Sequence, residues 1–531
     1  MSMKRRLMAL TAILSVAALS SCDGLLGGKS SSTGGHYTVS MSGKTVSDYP
    51  SMGALQTQGV LPSVGSPKIL VIPIYFTDSD APTAEELENI HDVYFGTAEE
   101  TGWQSLASYY EASSYGQLNI TGSVATAYQA SVSSEAFNTQ YTSASDESAK
   151  AEVVTDLVNE AVASLVVDGL DTSDYDSNRD GYIDGVEAIY FTDEPYEDEE
   201  GGEEDSVWWN WTTVADNEAD KSSPVTNIYF WSGYRMITRG HSGITLDAHT
   251  IVHETGHMLG LDDYYDYDGK TMPAGGCDMM DFNIGDHDAY SKMLLGWVSP
   301  TYVDGTVSEV TLTLNSFTET GDCVILTASG HDWNETPYDE YMVLQYYTPT
   351  GLNEADAVNG YDEWADYGVG GLYKKAGLQI FHVDARPVAI KLQKSRNQYT
   401  LTDEYVYVDE PIDGIWLGTD GNYYSQTIIG HSNTASYSFD SEFDLIAAIS
   451  ADGSNAFQSS MTRGITKLGS QKVLYSTSAY GGGASKYTQK NHMTSYPKGL
   501  YFNSGDPFDW SIEIDSQTDE SITITISKSL F

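Results

Sequence analysis

His253-Glu254-Thr255-Gly256-His257 sets two imidazoles four residues apart with a carboxylate beside the first. On a helix, residues four apart share a face, so both rings can reach one metal ion while Glu254 reaches a water on that ion. The run continues Met258-Leu259-Gly260-Leu261-Asp262-Asp263, which completes HExxHxxGxxD. Gly260 can adopt a positive φ, end the helix abruptly and turn the chain back so that Asp263 approaches the same metal. Asp262, Asp266 and Asp278 are alternative third ligands, but only Asp263 has the six-residue offset from His257 that the glycine turn implies. Two neutral imidazoles and one carboxylate leave a fourth tetrahedral position open, the arrangement of catalytic rather than structural zinc. A layout with a Glu ligand on a second helix is disfavoured, because no Glu occurs between Thr255 and Ser308. Two histidines that merely packed into a core would leave the glycine unexplained.

A second run, Asp176-Ser177-Asn178-Arg179-Asp180-Gly181-Tyr182-Ile183-Asp184-Gly185-Val186-Glu187, fits a twelve-residue calcium loop. Asp176, Asn178, Asp180, Asp184 and Glu187 would supply side-chain oxygens and Tyr182 its backbone carbonyl, with Gly181 at the sharp turn. The exit segment is β-like rather than helical, so a structural ion is expected rather than a sensor. An acidic loop of Asx turns holding no ion is the plainer alternative.

The stretch HETGHMLGLDDYYD, followed by GGCDMMDFNIGDHDAYSKMLLGW, resembles the immune inhibitor A-type bacterial metallopeptidases, relatives of the metzincins with Asp as third zinc ligand. SYYEASSYGQLNITGSV and KILVIPIYF upstream, and EYMVLQYY and GLQIFHVD downstream, look like segments of the same family, so the resemblance covers residues 66–390. It implies that His253, His257 and Asp263 bind zinc, that Glu254 is the catalytic carboxylate and that Met280 lies in the Met-turn under the metal. Some metzincins place a Tyr two positions after that Met as an oxyanion helper; Phe282 stands there, which leaves that role without a candidate.

These residues need elements to carry them. Residues 68–76 form an apolar, β-rich run expected to be a buried strand, and helical patterns follow at 84–93 and 103–112. A strand is expected at 117–125, a long amphipathic helix at 148–167, short strands at 186–191 and 226–232, and the motif helix at 247–259. Between the last two strands, residues 193–205 are so acidic that they must be solvated. The reading is an α+β, zincin-like or metzincin-like catalytic domain over 66–300. After Pro300, alternating Thr, Val and Leu segments such as 307–314, 341–347 and 521–527 predict a mostly β, sandwich-like region over 301–531.

Lys4, Arg5 and Arg6 precede an apolar run from Leu7 to Leu19, and Leu19-Ser20-Ser21-Cys22 resembles the lipobox of bacterial lipoproteins. Residues 1–21 are therefore expected to be a signal peptide, Cys22 the lipidated mature N-terminus, and 22–65 a tether and N-terminal segment. After Cys22 only Cys277 and Cys323 remain, as one disulfide or as two thiols. With 76 Asp and Glu against 26 Lys and Arg, the formal charge of −50 repels phosphate backbones and argues against nucleic acid as a partner.

The expected function is a secreted, lipid-anchored zinc metalloendopeptidase acting on protein or peptide substrates, with calcium as a second ion and membrane contact only through the lipid. The alternatives are a non-peptide amide hydrolase on the same scaffold, and a surface lipoprotein whose β-rich half binds glycan or host protein.

Overall fold

The computed structural model describes residues 36–38, 60–195, 206–238, 244–328, 330–358, 371–396, 403–412, 418–420, 423–438, 442–488 and 501–529. The leader, Cys22, most of the tether and the acidic residues 196–205 lie outside them. Among the described residues no helix is long and apolar enough to cross a membrane.

The first half is built on a twisted sheet. Strand β1 (Lys68–Tyr75) pairs in parallel with β2 (Thr121–Val124) on one side and β3 (Gly185–Phe191) on the other. Beyond β3 lies parallel β5 (Ile228–Gly233), and the short β4 (Trp211–Val214) closes the edge in antiparallel sense. A strand's side chains alternate between faces. Ile69 and Val71 thus join one apolar cluster, while Leu70, Ile72 and Ile74 join another on the opposite face. Helix α1 (Ala84–Phe95), α2 (Leu106–Ser113) and α4 (His249–Met258) contribute to the first cluster. The long α3 (Glu147–Val167) covers the other face through Val154, Leu157, Val158, Ala161 and Leu165.

After Pro300 the chain forms a six-stranded sheet that includes residues 36–38, β6 (Thr301–Val303), β8 (Cys323–Leu326), β9 (Glu340–Tyr347), β10 (Gly377–Asp384) and β11 (Ile446–Ala448). One face shares an apolar cluster with a four-stranded sheet containing β7 (Glu309–Asn315), β12 (Trp510–Gln517) and β13 (Ser521–Lys528). The other face, through Ile325, Tyr341, Val343, Phe381 and Val383, belongs to the same cluster as α1, α2 and α4. The apolar interior around the motif helix is therefore continuous across residue 300. Cys277 and Cys323 are both free thiols.

Candidate active site

Helix α4 carries the two histidines and ends where the glycine requires. Gly260 has φ +96°. The Leu261 N–H donates to the Gly256 carbonyl at 3.0 Å and the Gly260 N–H to the His257 carbonyl at 2.9 Å. That pair of bonds is a Schellman motif, which uses up carbonyls the helix end would otherwise leave bare. The turn is fastened a third time, because His257 Nδ1 bonds the Leu261 carbonyl at 2.8 Å.

The returning chain delivers Asp263. Its Oδ1 lies 2.9 Å from His253 Nε2 and 3.4 Å from His257 Nε2. It is buried yet accepts no hydrogen bond. Ligand atoms about 2.0–2.1 Å from a tetrahedral zinc stand about 3.3 Å from one another, so this spacing suits a shared ion. His253 Nδ1 donates to the Met279 carbonyl at 2.8 Å, as His257 Nδ1 does to Leu261, which turns both Nε2 atoms toward Asp263. Burial opposes charge on His257, but Asp263 outweighs it and lifts the ring to about 10. Burial would raise the Asp263 carboxyl, yet the two imidazoles hold it well below the usual range. Such a trio demands a positive charge, and a divalent metal supplies it; the residues fit zinc.

Glu254 shares the cluster: the ligand atoms of His253, Glu254 and His257 lie within 4.8 Å of one another. Its Oε2 accepts from Thr212 Oγ1 at 2.8 Å, and its backbone carbonyl lies 3.1 Å from the same hydroxyl. Thr212 sits on the edge strand β4, and no motif in the sequence marked it. Tyr267, equally unmarked, donates its hydroxyl to Asp263 Oδ2.

The other carboxylates considered for the metal have other duties. Asp266 accepts from the N–H groups of Asp268, Lys270 and Thr271. Asp278 accepts from those of Met280 and Asp288. Burial pushes the Asp262 carboxyl up to about 7. Met280 is buried against α4, its Sδ only 2.5 Å from where a Cβ on Gly256 would stand. Phe282 is buried too.

Of the proposed calcium set, Asp176, Asn178 and Asp180 stand on one turn, but Glu187 is drawn elsewhere. Asp176 accepts from the N–H groups of Asp180 and Gly181, Asn178 from that of Asp180, and Asp180 from that of Tyr182. Asp184 accepts from the N–H groups of Lys68 and Ser177. The decisive departure is Glu187. The segment leaving the loop is strand β3, and alternation puts Glu187 on the face of Ile189 and Phe191, beneath α4. There it accepts from the Tyr94 hydroxyl at 3.0 Å and the Thr255 hydroxyl at 3.2 Å. Burial pushes its carboxyl up to about 8. Among the described residues, the loop's carboxylates do not converge as the histidine cluster does. The arrangement is a loop of Asx turns, and calcium has no support in it.

A parallel sheet with a closing antiparallel edge strand carries above it a helix bearing two oriented imidazoles, the layout in which a metal-dependent hydrolase holds its ion. Residues 77–283 match the family described as immune inhibitor A peptidase M6, catalytic domain, and the chain thus carries a zinc metallopeptidase domain of the immune inhibitor A type. No curated protein matches the chain.

Proposed function

We propose that the chain is an exported, lipid-anchored zinc metalloendopeptidase in which His253, His257 and Asp263 hold the ion and Glu254 is the catalytic base. The observation that carries this reading is the buried, unbonded Oδ1 of Asp263 set against two imidazole nitrogens whose partner nitrogens are already committed to carbonyls. Zinc at such a site supplies Lewis acidity, polarising the scissile carbonyl and lowering the pKa of water towards about 7. Glu254 takes the proton from the attacking water and passes it to the leaving amine nitrogen. The Thr212 hydroxyl restrains one oxygen of that carboxylate and leaves the other for the proton. Among the described strands, β4 pairs on one side only, with β5, and its open edge suits an extended peptide that adds a strand.

Export and lipidation rest on the leader and on Cys22. The pairing of two sheets through one apolar cluster supports a sandwich-like reading of the C-terminal region. A casein or gelatin zymogram with chelation and zinc re-addition tests the activity. Loss of cleavage with chelator and recovery with zinc is expected; cleavage that chelation does not affect overturns the reading. Cys22→Ala should release the protein from the membrane fraction, and an unchanged distribution would refute the anchor.

A further inference from the structure

The loop that carries Asp263 is held by the far half of the chain. Tyr267, whose hydroxyl bonds Asp263 Oδ2, has its backbone N–H on Thr434 Oγ1 at 2.9 Å. Three residues earlier, the Tyr264 carbonyl accepts from Asn433 Nδ2 at 2.8 Å, while Asn433 Oδ1 accepts from the Ile446 N–H at 3.0 Å. Ile446 begins β11, at one edge of the six-stranded sheet, so the chain of contacts runs from that sheet to the ligand. Both side chains are buried, Thr434 at 0% and Asn433 at 2% exposure. Farther along the same loop, the Met272 N–H donates to the Phe457 carbonyl at 2.9 Å and the Ala448 N–H to the Pro273 carbonyl at 2.8 Å.

A carboxylate that offers one oxygen to a metal is otherwise free to rotate, and a hydroxyl bonded to its second oxygen sets the plane of the group. Groups that orient a ligand in this way are worth about 10–100-fold in metal affinity. The Tyr267 hydroxyl can hold Asp263 only if its own backbone is held, and Thr434 is the side chain that holds it. Asn433 fixes the start of the same loop.

We infer that Thr434 and Asn433 are positioning residues for the zinc centre, acting through Tyr267 on Asp263, so that the functional metal site extends beyond residues 77–283 into the β-rich half. This inference rests on the proposed ligand set, and its test separates the two.

Zinc affinity of the full-length protein is measured by competition with a chromogenic chelator, with thermal stability of the metal-free form followed in parallel. Tyr267→Phe should weaken zinc binding about 10–100-fold, and Thr434→Val about tenfold, with Thr434→Ser restoring it. Thr434→Val added to Tyr267→Phe should cost little more, since the first acts through the second. If the wild type binds no zinc, or Asp263→Ala and His257→Ala leave binding unchanged, the ligand assignment itself fails. If those variants lose zinc but Tyr267→Phe and Thr434→Val keep wild-type affinity, the inference is overturned and the ligand assignment stands. An equal loss from Thr434→Val with and without the Tyr267 hydroxyl also overturns it. Should Thr434→Val not fold, Tyr267→Phe and Asn433→Ser decide the matter by the same readout.

Discussion

Glu254 has two neighbours with opposite consequences: the imidazoles that share its cluster and the Thr212 hydroxyl that restrains its Oε2. Replacing the carboxylate by an amide removes the proton acceptor without removing a proposed ligand. Glu254→Gln is therefore expected to keep one zinc per chain by elemental analysis while kcat/KM falls by about 10²–10⁴-fold. Thr212→Val keeps the shape of the side chain and removes only the donor, so a smaller loss in kcat, about tenfold, with KM little changed, is expected from steady-state kinetics on a peptide substrate. Equal losses in kcat and in zinc content for either variant would contradict these roles. The meeting of the histidines, Glu254 and Asp263 was legible in the sequence because their spacing encodes it. Thr212 and Tyr267 were not, since a hydroxyl on a short strand or in a loop carries no signal until the chain has folded around it.

At the scale of the element, α4 matters most at its last turn. Gly260 sits at φ +96°, a conformation that a side chain strains, and two backbone bonds plus the His257 ring depend on it. Gly260→Ala should destabilise the protein by about 1–3 kcal/mol in urea unfolding and weaken zinc binding, because the turn also aims Asp263. Stability at the wild-type level would show that the turn is less exacting than its geometry. Strand β3 teaches the converse lesson. Its apolar run was readable, and so was the acidic loop before it, yet the pairing of that loop with Glu187 assumed that twelve residues act as one unit. Because the exit is a strand, as its pattern indicates, a two-residue alternation carries Glu187 beneath α4 and out of the loop.

Across the whole molecule, one buried ion pair ties the motif helix to the β-rich half. His249, stacked on Trp103 at 3.6 Å, bonds Asp247 Oδ1 at 2.7 Å and lies 3.2 Å from Asp356 Oδ1. Burial opposes the charge, but Asp356 and Asp247 outweigh it and lift the ring to about 10. A histidine whose folded pKa exceeds its unfolded 6.5 contributes stability that is fully present below pH 6.5 and lost as pH rises through about 10. Asp356→Asn should then cost about 3 kcal/mol near pH 6, with the gap to wild type closing by pH 10 in denaturant titrations. A gap independent of pH would exclude the charged pair as its cause. The continuous apolar cluster adds a further expectation: a chain ended at residue 300 leaves the partners of Tyr341, Val343 and Phe381 bare and should be insoluble or molten by circular dichroism. A soluble, cooperatively folding product would show that the first half stands alone.

The sequence by itself determined that His253, Glu254, His257 and Asp263 gather at one place, because helical spacing and a glycine turn are local events whose rules act within a dozen residues. It also determined most strands and helices of the first half, where the periodicity of apolar residues is strong. Only the tertiary structure decided which hydroxyls restrain Glu254 and Asp263, that Glu187 serves the floor of α4 rather than a loop, and that Asn433, Thr434 and Ala448 bond the loop of Asp263 from more than 150 positions away. Contacts of that kind join side chains with no shared period or motif, so they exist as information only once the two halves have packed around a common core.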